Sequence, residues 1–264
     1  MKNLKGKVVW ITGASSGIGE ELAYALAREG SFLVLSARNK EKLEQVKVKC
    51  LESTAKCWVN QVDLSGNQQL DAVVKTVLVQ TGRIDVLINN AGRSQRSLAK
   101  ETPPEIDRNI MELNFFSVVE LTKLVLPQML KNGSGHIVVI SSIAGKLGFS
   151  MRTAYSASKH ALQGYFESLR TELANDNIKV TIVSPGRIKT NISVNAVTKD
   201  GSPYNIMDEG QANGMNAALC AAKIVKAIKK ERKELLVGKT EILMVHIRRF
   251  LPSLYYKLVT RIKN

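Results

Sequence analysis

A tyrosine and a lysine four residues apart, Tyr155 and Lys159, are the residues of this chain best suited to acid–base chemistry. On a helix this spacing places both side chains on one face, one turn apart. A free tyrosine has a pKa of about 10, and a fixed ammonium group lowers that pKa through its positive charge. Ser142 precedes Tyr155 and follows a buried apolar run, so it lies where ligands bind in open α/β sheets.

A glycine-rich turn, Thr12–Gly19, begins directly after the first apolar run of the chain. Glycine allows a tight turn, a close approach of the backbone to a pyrophosphate and close packing of the next helix. The start of that helix presents free N–H groups and the positive end of its dipole to an anion. The turn therefore predicts a dinucleotide site. Its expected cofactor contacts are Thr12, Gly13, Ser15, Ser16, Gly17, Ile18 and Gly19.

Short apolar runs alternate with segments of helical periodicity along most of the chain. Runs rich in Val, Ile and Leu are typical of strands buried on both faces of a parallel sheet. The repeated alternation predicts an α/β fold, a Rossmann-type three-layer αβα sandwich with a doubly wound, mostly parallel seven-stranded sheet. The runs lie at residues 8–11, 32–35, 58–62, 84–88, 136–140, 178–183 and 235–238.

The spacing of the glycines in Thr12–Gly19, TGxxxGxG, resembles the cofactor motif of the short-chain dehydrogenase/reductase family. Further motifs of that family follow in the same order at the ends of later strands. They are NNAG at residues 89–92, YxxxK at residues 155–159 and PGxxxT at residues 185–190. The sequence RSQRSL at residues 93–98 resembles the member-7-type group of the family. The resemblance covers nearly the whole chain and implies a nicotinamide-dependent oxidoreductase.

The resemblance also implies a role for each polar residue near the phenol. Ser142 holds the substrate oxygen, and Tyr155 is the general acid in reduction and the general base in oxidation. Lys159 tunes Tyr155 and binds the nicotinamide ribose, while Asn114 holds a water molecule in a proton relay from Lys159. The family pattern implies further cofactor contacts from Asn90, Ala91, Gly92, Pro185, Gly186, Ile188 and Thr190.

Arg38 follows the second apolar run, where proteins that prefer NAD usually carry an acidic residue for the ribose 2′-hydroxyl. A 2′-phosphate requires a cation instead, and a guanidinium group offers several donors in one plane. We therefore expect NADP(H) as the cofactor; the alternative is that Arg38 only begins the next helix at the surface. Asp63, after the third run, either lies beside the adenine or forms an ordinary turn.

Residues 187–216 carry several Gly, Asn and Ser residues and predict a loop that closes over the substrate. Apolar residues in this loop favour a lipophilic ketone or aldehyde and its alcohol. We expect a catalytic domain over residues 1–240 and a basic amphipathic C-terminal helical extension over residues 241–264. The expected lining of the substrate loop is Ile192, Val194, Val197, Tyr204, Ile206 and Met207.

From residue 242 onward the chain has no acidic residue, and its apolar residues recur at helical spacing. A basic amphipathic helix with aromatic residues can lie peripherally at a membrane surface. It can also pack on its own domain or on a partner subunit with its cations in water, and the sequence leaves both readings open. With no signal peptide or membrane-spanning segment, we expect a cytoplasmic protein, peripheral at a membrane surface if the extension binds one.

The chain has 264 residues and a formal net charge of +15, which raises nucleic acid as a partner. Residues 223–264 hold twelve Lys and Arg against three acidic residues, so this stretch carries +9 and the rest only +6. We find no recognition motif and few aromatic residues, and expect no nucleic-acid partner. Three scattered histidines and three unpaired cysteines predict no metal site and no disulfide.

A non-catalytic NADP-sensing or scaffold protein on the same fold is the alternative to an enzyme. A protein that only binds the cofactor has no need of Asn114, Ser142, Tyr155 and Lys159 together, so the set favours catalysis. The resemblance also implies a homodimer or homotetramer. The apolar faces of the helices around Asn114 and Tyr155 can form its seam, although packing on the chain's own sheet accounts for much of the same pattern.

Overall fold

The computed structural model describes residues 2–66 and 69–259, so Arg261, Ile262 and Lys263 of the predicted extension lie outside the described residues. Within that part of the chain, seven strands form a parallel sheet in the order β3-β2-β1-β4-β5-β6-β9. The predicted doubly wound α/β fold is confirmed, and each predicted run overlaps one strand, with differences of one or two residues at the ends. These strands are β1 Val8–Thr12, β2 Phe32–Ala37, β3 Cys57–Gln61, β4 Val86–Asn89, β5 Gly135–Ile140, β6 Ile178–Pro185 and β9 Glu234–Val237.

Helices cover both faces of this sheet, and a second, two-stranded parallel sheet joins β7 Ile188–Lys189 to β8 Met215–Asn216. A stretch of π-helix, Glu112–Phe116, connects two of the helices without a break. The helices are α1 Gly17–Arg28, α2 Lys40–Leu51, α3 Leu70–Thr81, α4 Pro104–Met111, α5 Ser117–Lys131, α6 Thr153–Glu172, α7 Glu209–Ala212, α8 Ala217–Lys229, α9 Leu243–Phe250 and α10 Pro252–Val259.

The core has two halves, one on each face of the sheet, because successive side chains of a strand point to opposite faces. In β1, Val9 and Ile11 pack with the apolar side of α1, α2 and α8. Val8 and Trp10 of the same strand pack with α3, α5 and α6. Each fully buried aliphatic side chain contributes roughly 1.5–3 kcal/mol to folding. This division explains why the strand is apolar throughout instead of alternating.

The order of the strands reverses between β1 and β4, which are neighbours although β2 and β3 lie between them in the sequence. At such a switch point the following helices leave toward opposite faces of the sheet and open a crevice at the carboxyl ends of the strands. Thr12 ends β1 and Asn89 ends β4 at this crevice. The topology therefore brings the Thr12–Gly19 turn beside the NNAG segment.

The last two described helices, α9 and α10, pack against each other after β9. Tyr255 is 2% exposed, whereas Phe250, Leu251 and Tyr256 are more than half exposed. Among residues 2–66 and 69–259, no helix combines the length and apolar character needed to cross a bilayer.

Candidate active site

The Thr12–Gly19 turn is joined to the NNAG segment by a closed set of hydrogen bonds. The Thr12 hydroxyl oxygen accepts the backbone N–H groups of Asn90 and Ala91 at 3.0 and 3.1 Å. In return the Asn90 side-chain amide donates to the carbonyl oxygens of Thr12 and Gly13, at 3.0 and 3.2 Å. Thr12 and Asn90 thus fix the two segments relative to each other and leave the outer face of the turn open.

Two glycines of the turn cannot carry a side chain in this arrangement. Gly13 has a φ of +66°, and a Cβ there would lie 2.9 Å from Cα of Ala91. A Cβ on Gly19 would lie 2.2 Å from the carbonyl oxygen of Gly13. Because both obstacles are backbone atoms, they cannot move aside as a flexible side chain would. The start of α1 is therefore held against the end of β1, with its free N–H groups at the cradle.

A cavity of about 970 Å³ extends from this cradle across the carboxyl ends of the strands. It is large enough for a dinucleotide together with a small substrate. Thr12 and Gly19 lie behind its wall, where they shape the turn. The predicted cofactor contacts that line it are Gly13, Ser15, Ser16, Gly17, Ile18, Arg38, Asp63, Asn90, Ala91, Gly92, Tyr155, Lys159, Pro185, Gly186, Ile188 and Thr190.

Ser142 and Tyr155 meet at the end of β5, as their spacing predicts. A hydrogen bond with Ser142 lowers the pKa of Tyr155, but burial raises that pKa more, and the net shift is upward. The Ser142 hydroxyl oxygen also accepts the backbone N–H of Ala144 at 3.1 Å. Ser141 turns away from the phenol and donates to the carbonyl oxygen of Lys159 at 3.0 Å. The alternation of a strand thus places Ser142, not Ser141, at the phenol.

Lys159 lies on the same face of α6 as Tyr155, one turn further along. Its ammonium nitrogen is 5.9 Å from the centre of the Tyr155 ring and donates to the carbonyl oxygen of Ile140 at 2.9 Å. Burial lowers the pKa of Lys159 to about 8, because the charged form has lost its water. An anionic or hydroxyl partner at this lysine would restore part of that lost solvation.

Asn114 is fully buried in the π-helical stretch that joins α4 to α5. A π-helical stretch inside an α-helix is frequent at functional sites. Its side-chain oxygen accepts the backbone N–H of Arg93, and its amide nitrogen donates to the Arg93 carbonyl and to Ser158. A Cβ on Gly92 would lie 3.1 Å from the Asn114 oxygen and 3.4 Å from the Lys159 nitrogen. Gly92 therefore separates Asn114 from Lys159 by a narrow space.

The sequence did not identify Arg93 as a site residue, but this side chain lines the cavity near Arg38. Burial, and then the neighbouring charge of Arg38, lower the pKa of Arg93. Burial raises the pKa of Asp63, yet its hydrogen bonds with Ser65 and the charges of Arg38 and Arg93 outweigh that effect. Two guanidinium groups and one carboxylate thus meet at this end of the cavity. The missed signal is the arginine directly after NNAG.

The substrate end of the cavity is lined differently from the expectation. Of the six loop residues predicted there, Ile192 and Val197 line the cavity. Ile206 and Met207 are exposed, although the backbone of Tyr204 and Asn205 just before them pairs with Ala196 and Val194. Further apolar lining comes from segments that the sequence did not suggest, including α9 and α10. These residues are Leu113, Ile143, Leu147, Phe149, Met244, Tyr255 and Val259.

Comparison with known proteins points to one family. A family profile described as short chain dehydrogenase matches residues 7–201. A Xenopus laevis protein named dehydrogenase/reductase SDR family member 7B is 44% identical over 97% of this chain and 82% of its own. A Drosophila melanogaster protein named dehydrogenase/reductase SDR family protein 7-like is 41% identical over 98% of this chain and 81% of its own.

Solved structures agree with this result. A short-chain dehydrogenase from Streptomyces avermitilis is 32% identical, with a TM-score of 0.80 over 97% of this chain and 98% of its own. A Burkholderia phymatum relative solved with NAD is 25% identical, with a TM-score of 0.85 and 96% of each chain covered. A metagenomic relative solved with NADP is 30% identical, with a TM-score of 0.72 over 89% of this chain and 97% of its own.

Proposed function

The chain belongs to the short-chain dehydrogenase/reductase family, and we propose that it interconverts a carbonyl and an alcohol on a lipophilic substrate with NADP(H). The observation that carries this proposal is the meeting of Ser142, Tyr155 and Lys159 inside one cavity with the glycine cradle. The bound nicotinamide supplies or accepts the hydride. The chain's own residues bind and orient the cofactor and the substrate, and they move the proton.

Tyr155 is the proton donor in reduction and the acceptor in oxidation. Its phenol lies beside the Ser142 hydroxyl, so a carbonyl oxygen placed between them receives two hydrogen bonds, and Tyr155 gives up its proton as negative charge develops on that oxygen. Lys159 stabilises the resulting phenolate and holds the ribose of the cofactor. Both side chains are buried, so their interaction is stronger than it would be in water.

Asn114 keeps Lys159 connected to solvent in this proposal. Its amide holds the backbone of Arg93, which keeps the space beside Gly92 and Lys159 open. A water molecule at that space would pass protons to Lys159 and then to Tyr155 after each turnover. The groups that carry the proton along this path are the water molecule, the Lys159 ammonium group and the Tyr155 hydroxyl.

The preference for NADP(H) follows from the charges at the far end of the cavity. Arg38 is exposed at the end of β2, and Arg93 lies near it. Two guanidinium groups can bind a 2′-phosphate through several charge-assisted hydrogen bonds. Asp63 balances part of their charge and lies at the adenine in this arrangement. A carboxylate in place of Arg38 would instead favour the ribose 2′-hydroxyl of NAD.

The lipophilic substrate is inferred from the apolar lining of the cavity near Tyr155. Leu147, Phe149 and Ile192 line that end, and Met244 and Tyr255 of the C-terminal helices join them. A long or ring-shaped apolar ketone or aldehyde would lose more water-exposed surface here than a polar sugar.

We further propose that residues 241–264 form a basic amphipathic helical extension of a catalytic domain of residues 1–240, and that the exposed side of this extension touches a membrane peripherally. Phe250 and Leu251 form an exposed apolar corner between α9 and α10, next to Arg248 and Arg249. Such a corner can insert between lipid headgroups while the arginines bind their phosphates. Binding to anionic liposomes that persists after removal of residues 242–264 would contradict this assignment, which places the protein in the cytoplasm or at a membrane surface.

A homodimer or homotetramer is the proposed assembly. On the apolar face of α6, the helix that carries Tyr155, the side chains of Phe166 and Leu169 are buried in the core, so only the outer part of that face remains for a partner. Phe116 is 51% exposed there, and Phe115 and Tyr165 are half-buried with their ring centres 6.0 Å apart. Light scattering on the wild type and on a Phe116→Ser variant tests the seam.

The experiment that tests the function is a screen of NADPH oxidation over ketones, aldehydes and 3-oxoacyl thioesters. The wild type is expected to reduce at least one apolar carbonyl, and Tyr155→Phe to lose this activity while still binding NADPH. Turnover by Tyr155→Phe near the wild-type rate would refute the assigned role of the phenol. NADPH binding without turnover across the panel would favour a sensing or scaffold protein.

A further inference from the structure

The segment Arg93–Ser97, which follows NNAG, joins the proposed active site to the substrate loop. The backbone of Arg93 is bound by Asn114, as described above. The carbonyl oxygen of Ser94 accepts the N–H of Val197, and the N–H of Arg96 donates to the Val197 carbonyl at 2.8 Å. Gln95 is fully buried, and its side-chain oxygen accepts the N–H groups that open α6. This segment therefore contacts Asn114, the start of α6 and the substrate loop.

Arg96 extends from this segment into a buried cluster with Asp208 and Arg152. Its side chain is 5% exposed, and its guanidinium group donates to Asp208, to the Ser94 hydroxyl and to the Gln95 carbonyl. Arg152 donates to the same Asp208 oxygen at 3.1 Å. The Arg152 and Asp208 side chains are 16% and 14% exposed. Two positive groups and one negative group thus share one nearly dry site, with a formal sum of +1.

The cluster lies at the start of the helix that carries Tyr155. Arg152 directly precedes α6, Tyr155 is in its first turn, and all three members of the cluster line the same cavity as Tyr155. The charged groups around the phenol are Lys159 on α6, Arg152 before it, Arg96 on the segment after β4 and Asp208 on the substrate loop. Burial raises the pKa of Tyr155, while the Ser142 hydroxyl, Arg96 and Arg152 each lower it.

Arginine and lysine side chains differ in the pH range over which they stay charged. Burial lowers the pKa of Lys159 to about 8, so this group loses its charge within the working range of many oxidoreductases. A guanidinium group stays protonated throughout that range. Burial and the neighbouring Arg96 lower the pKa of Arg152, but Asp208 and Tyr155 oppose that shift. The field of Arg96 and Arg152 at the phenol therefore remains when Lys159 is neutral.

We propose that Arg96 and Arg152, held in place by Asp208, are positioning residues that stabilise the deprotonated form of Tyr155 and supplement Lys159. The proposal rests on the function proposed above. Asp208 both fixes the two guanidinium groups and offsets one of their charges. Asp208, on the substrate loop, thereby influences the acidity of the Tyr155 phenol on α6.

The test compares Arg152→Gln, Arg152→Lys and Asp208→Asn with the wild type by two measurements. The first is the pH dependence of kcat/KM for oxidation of the alcohol found in the screen, with NADP⁺ as co-substrate. The second is the carbon-13 NMR titration of protein labelled at the tyrosine ring carbon that bears the hydroxyl, with Tyr155 assigned by the signal that Tyr155→Phe removes. Arg152 is preferred to Arg96 as the target, because Arg96 is more deeply buried and its loss endangers folding.

The three variants are expected to move the titration in different directions. Arg152→Gln removes a positive charge and should raise the midpoint of Tyr155 by about one pH unit. Asp208→Asn removes the negative charge but leaves Arg96 bound to the Ser94 hydroxyl and the Gln95 carbonyl, so it should lower the midpoint. Arg152→Lys keeps the positive charge and should stay close to the wild type. A general loosening of the site would move Arg152→Gln and Asp208→Asn in the same direction, and that result overturns the proposal.

The remaining outcomes separate this proposal from the function itself. If Arg152→Gln raises only KM and leaves both midpoints unchanged, the arginines bind substrate or hold the loop, and the proposal fails. If the NMR midpoints shift as expected while no carbonyl is reduced, the charge cluster stands and the proposed function fails. If the enzyme turns over and the NMR midpoints do not move, the function stands without the cluster.

Discussion

The ammonium nitrogen of Lys159 lies 2.9 Å from the carbonyl oxygen of Ile140, the last residue of β5. The same strand end leads into Ser142, so one backbone segment positions both the lysine and the serine. A neutral carbonyl compensates only part of the solvation that the buried ammonium group has lost. The lysine therefore costs folding stability at neutral pH, in exchange for its position beneath Tyr155.

This cost predicts a specific dependence of stability on pH. The pKa of Lys159 is about 8 in the folded protein against 10.5 for an ordinary lysine, so the unfolded chain binds this proton more tightly. The penalty is fully present below pH 8 and disappears as the pH rises toward 10.5. Lys159→Met removes this penalty, so it should be more stable than the wild type below pH 8. That advantage in free energy of unfolding should shrink by on the order of 3 kcal/mol as the pH rises to 10.5. Denaturant unfolding at several pH values measures it, with exposed Lys131→Met as the flat control.

Gly19→Ala should abolish cofactor binding or destabilise the fold. The added Cβ would lie 2.2 Å from the Gly13 carbonyl oxygen, so the turn or the start of α1 must shift. Gly164 on α6 is an exposed glycine with open space around its Cβ position, and Gly164→Ala should instead stabilise the protein by roughly 0.5–1 kcal/mol. Melting temperatures and NADPH fluorescence titrations compare the two variants. Wild-type NADPH affinity in Gly19→Ala would contradict the described packing.

Arg38→Asp should reverse or abolish the preference for NADPH over NADH. Hydrogen bonds to a charged group contribute about 1.5–3 kcal/mol, which corresponds to roughly 10–100-fold in the ratio of the kcat/KM values for the two cofactors. Arg93→Ala should shift the ratio in the same direction. Arg108→Ala, on the exposed face of α4, serves as the control for charge alone. An unchanged ratio in both Arg38→Asp and Arg93→Ala would place the 2′-phosphate elsewhere.

Gln95→Ala should destabilise the start of α6. The Gln95 oxygen accepts the N–H of Ala154 at 2.9 Å and that of Tyr155 at 3.4 Å, and both donors are buried. Leaving such a donor without an acceptor costs about 1–3 kcal/mol. Gln80→Ala, exposed on α3, should change the free energy of unfolding by less than about 0.5 kcal/mol. If both substitutions change the free energy of unfolding equally, Gln95 does not stabilise the start of α6.

Tyr255→Ala and Tyr256→Ala form a matched pair in α10. Tyr255 is 2% exposed and lines the cavity, whereas Tyr256 is 59% exposed. We expect Tyr255→Ala to raise KM for a bulky apolar carbonyl about tenfold or more, since a buried aromatic contributes several kcal/mol. KM for NADPH should stay unchanged, and Tyr256→Ala should behave as the wild type with a soluble substrate. If Tyr255→Ala leaves the KM for the carbonyl substrate unchanged, α10 does not contribute to the substrate-binding part of the cavity.

The sequence predicts those parts of the site whose geometry follows from local periodicity. Tyr155 and Lys159 share a helix face because the helix repeats every 3.6 residues, and Ser142 is selected over Ser141 by the alternation of a strand. The seven strands were predictable because a parallel sheet buries both of its faces and so requires continuous apolar runs.

Contacts between distant segments were not predictable in the same way. Arg93 comes near Arg38 only because β1 and β4 are neighbours, and no pattern around either arginine shows this. Tyr255 enters the cavity wall from the far end of the chain, and the helical periodicity of its segment left open whether that helix binds a membrane or packs on its own domain. At Asn114 the π-helical backbone occurs together with side-chain hydrogen bonds to Arg93 and Ser158, which are both distant from it in the sequence. Such features follow from tertiary packing.

The wall that α9 and α10 add to the cavity has a consequence for biosynthesis. Every predicted cofactor contact lies at or before Thr190, whereas Met244, Tyr255 and Val259 leave the ribosome after all of them. A nascent chain can therefore present the dinucleotide cradle while the opposite side of its cleft still lacks this wall. Because Val259 ends α10 and lines the cavity, a tag before β1 is the sounder choice for purification.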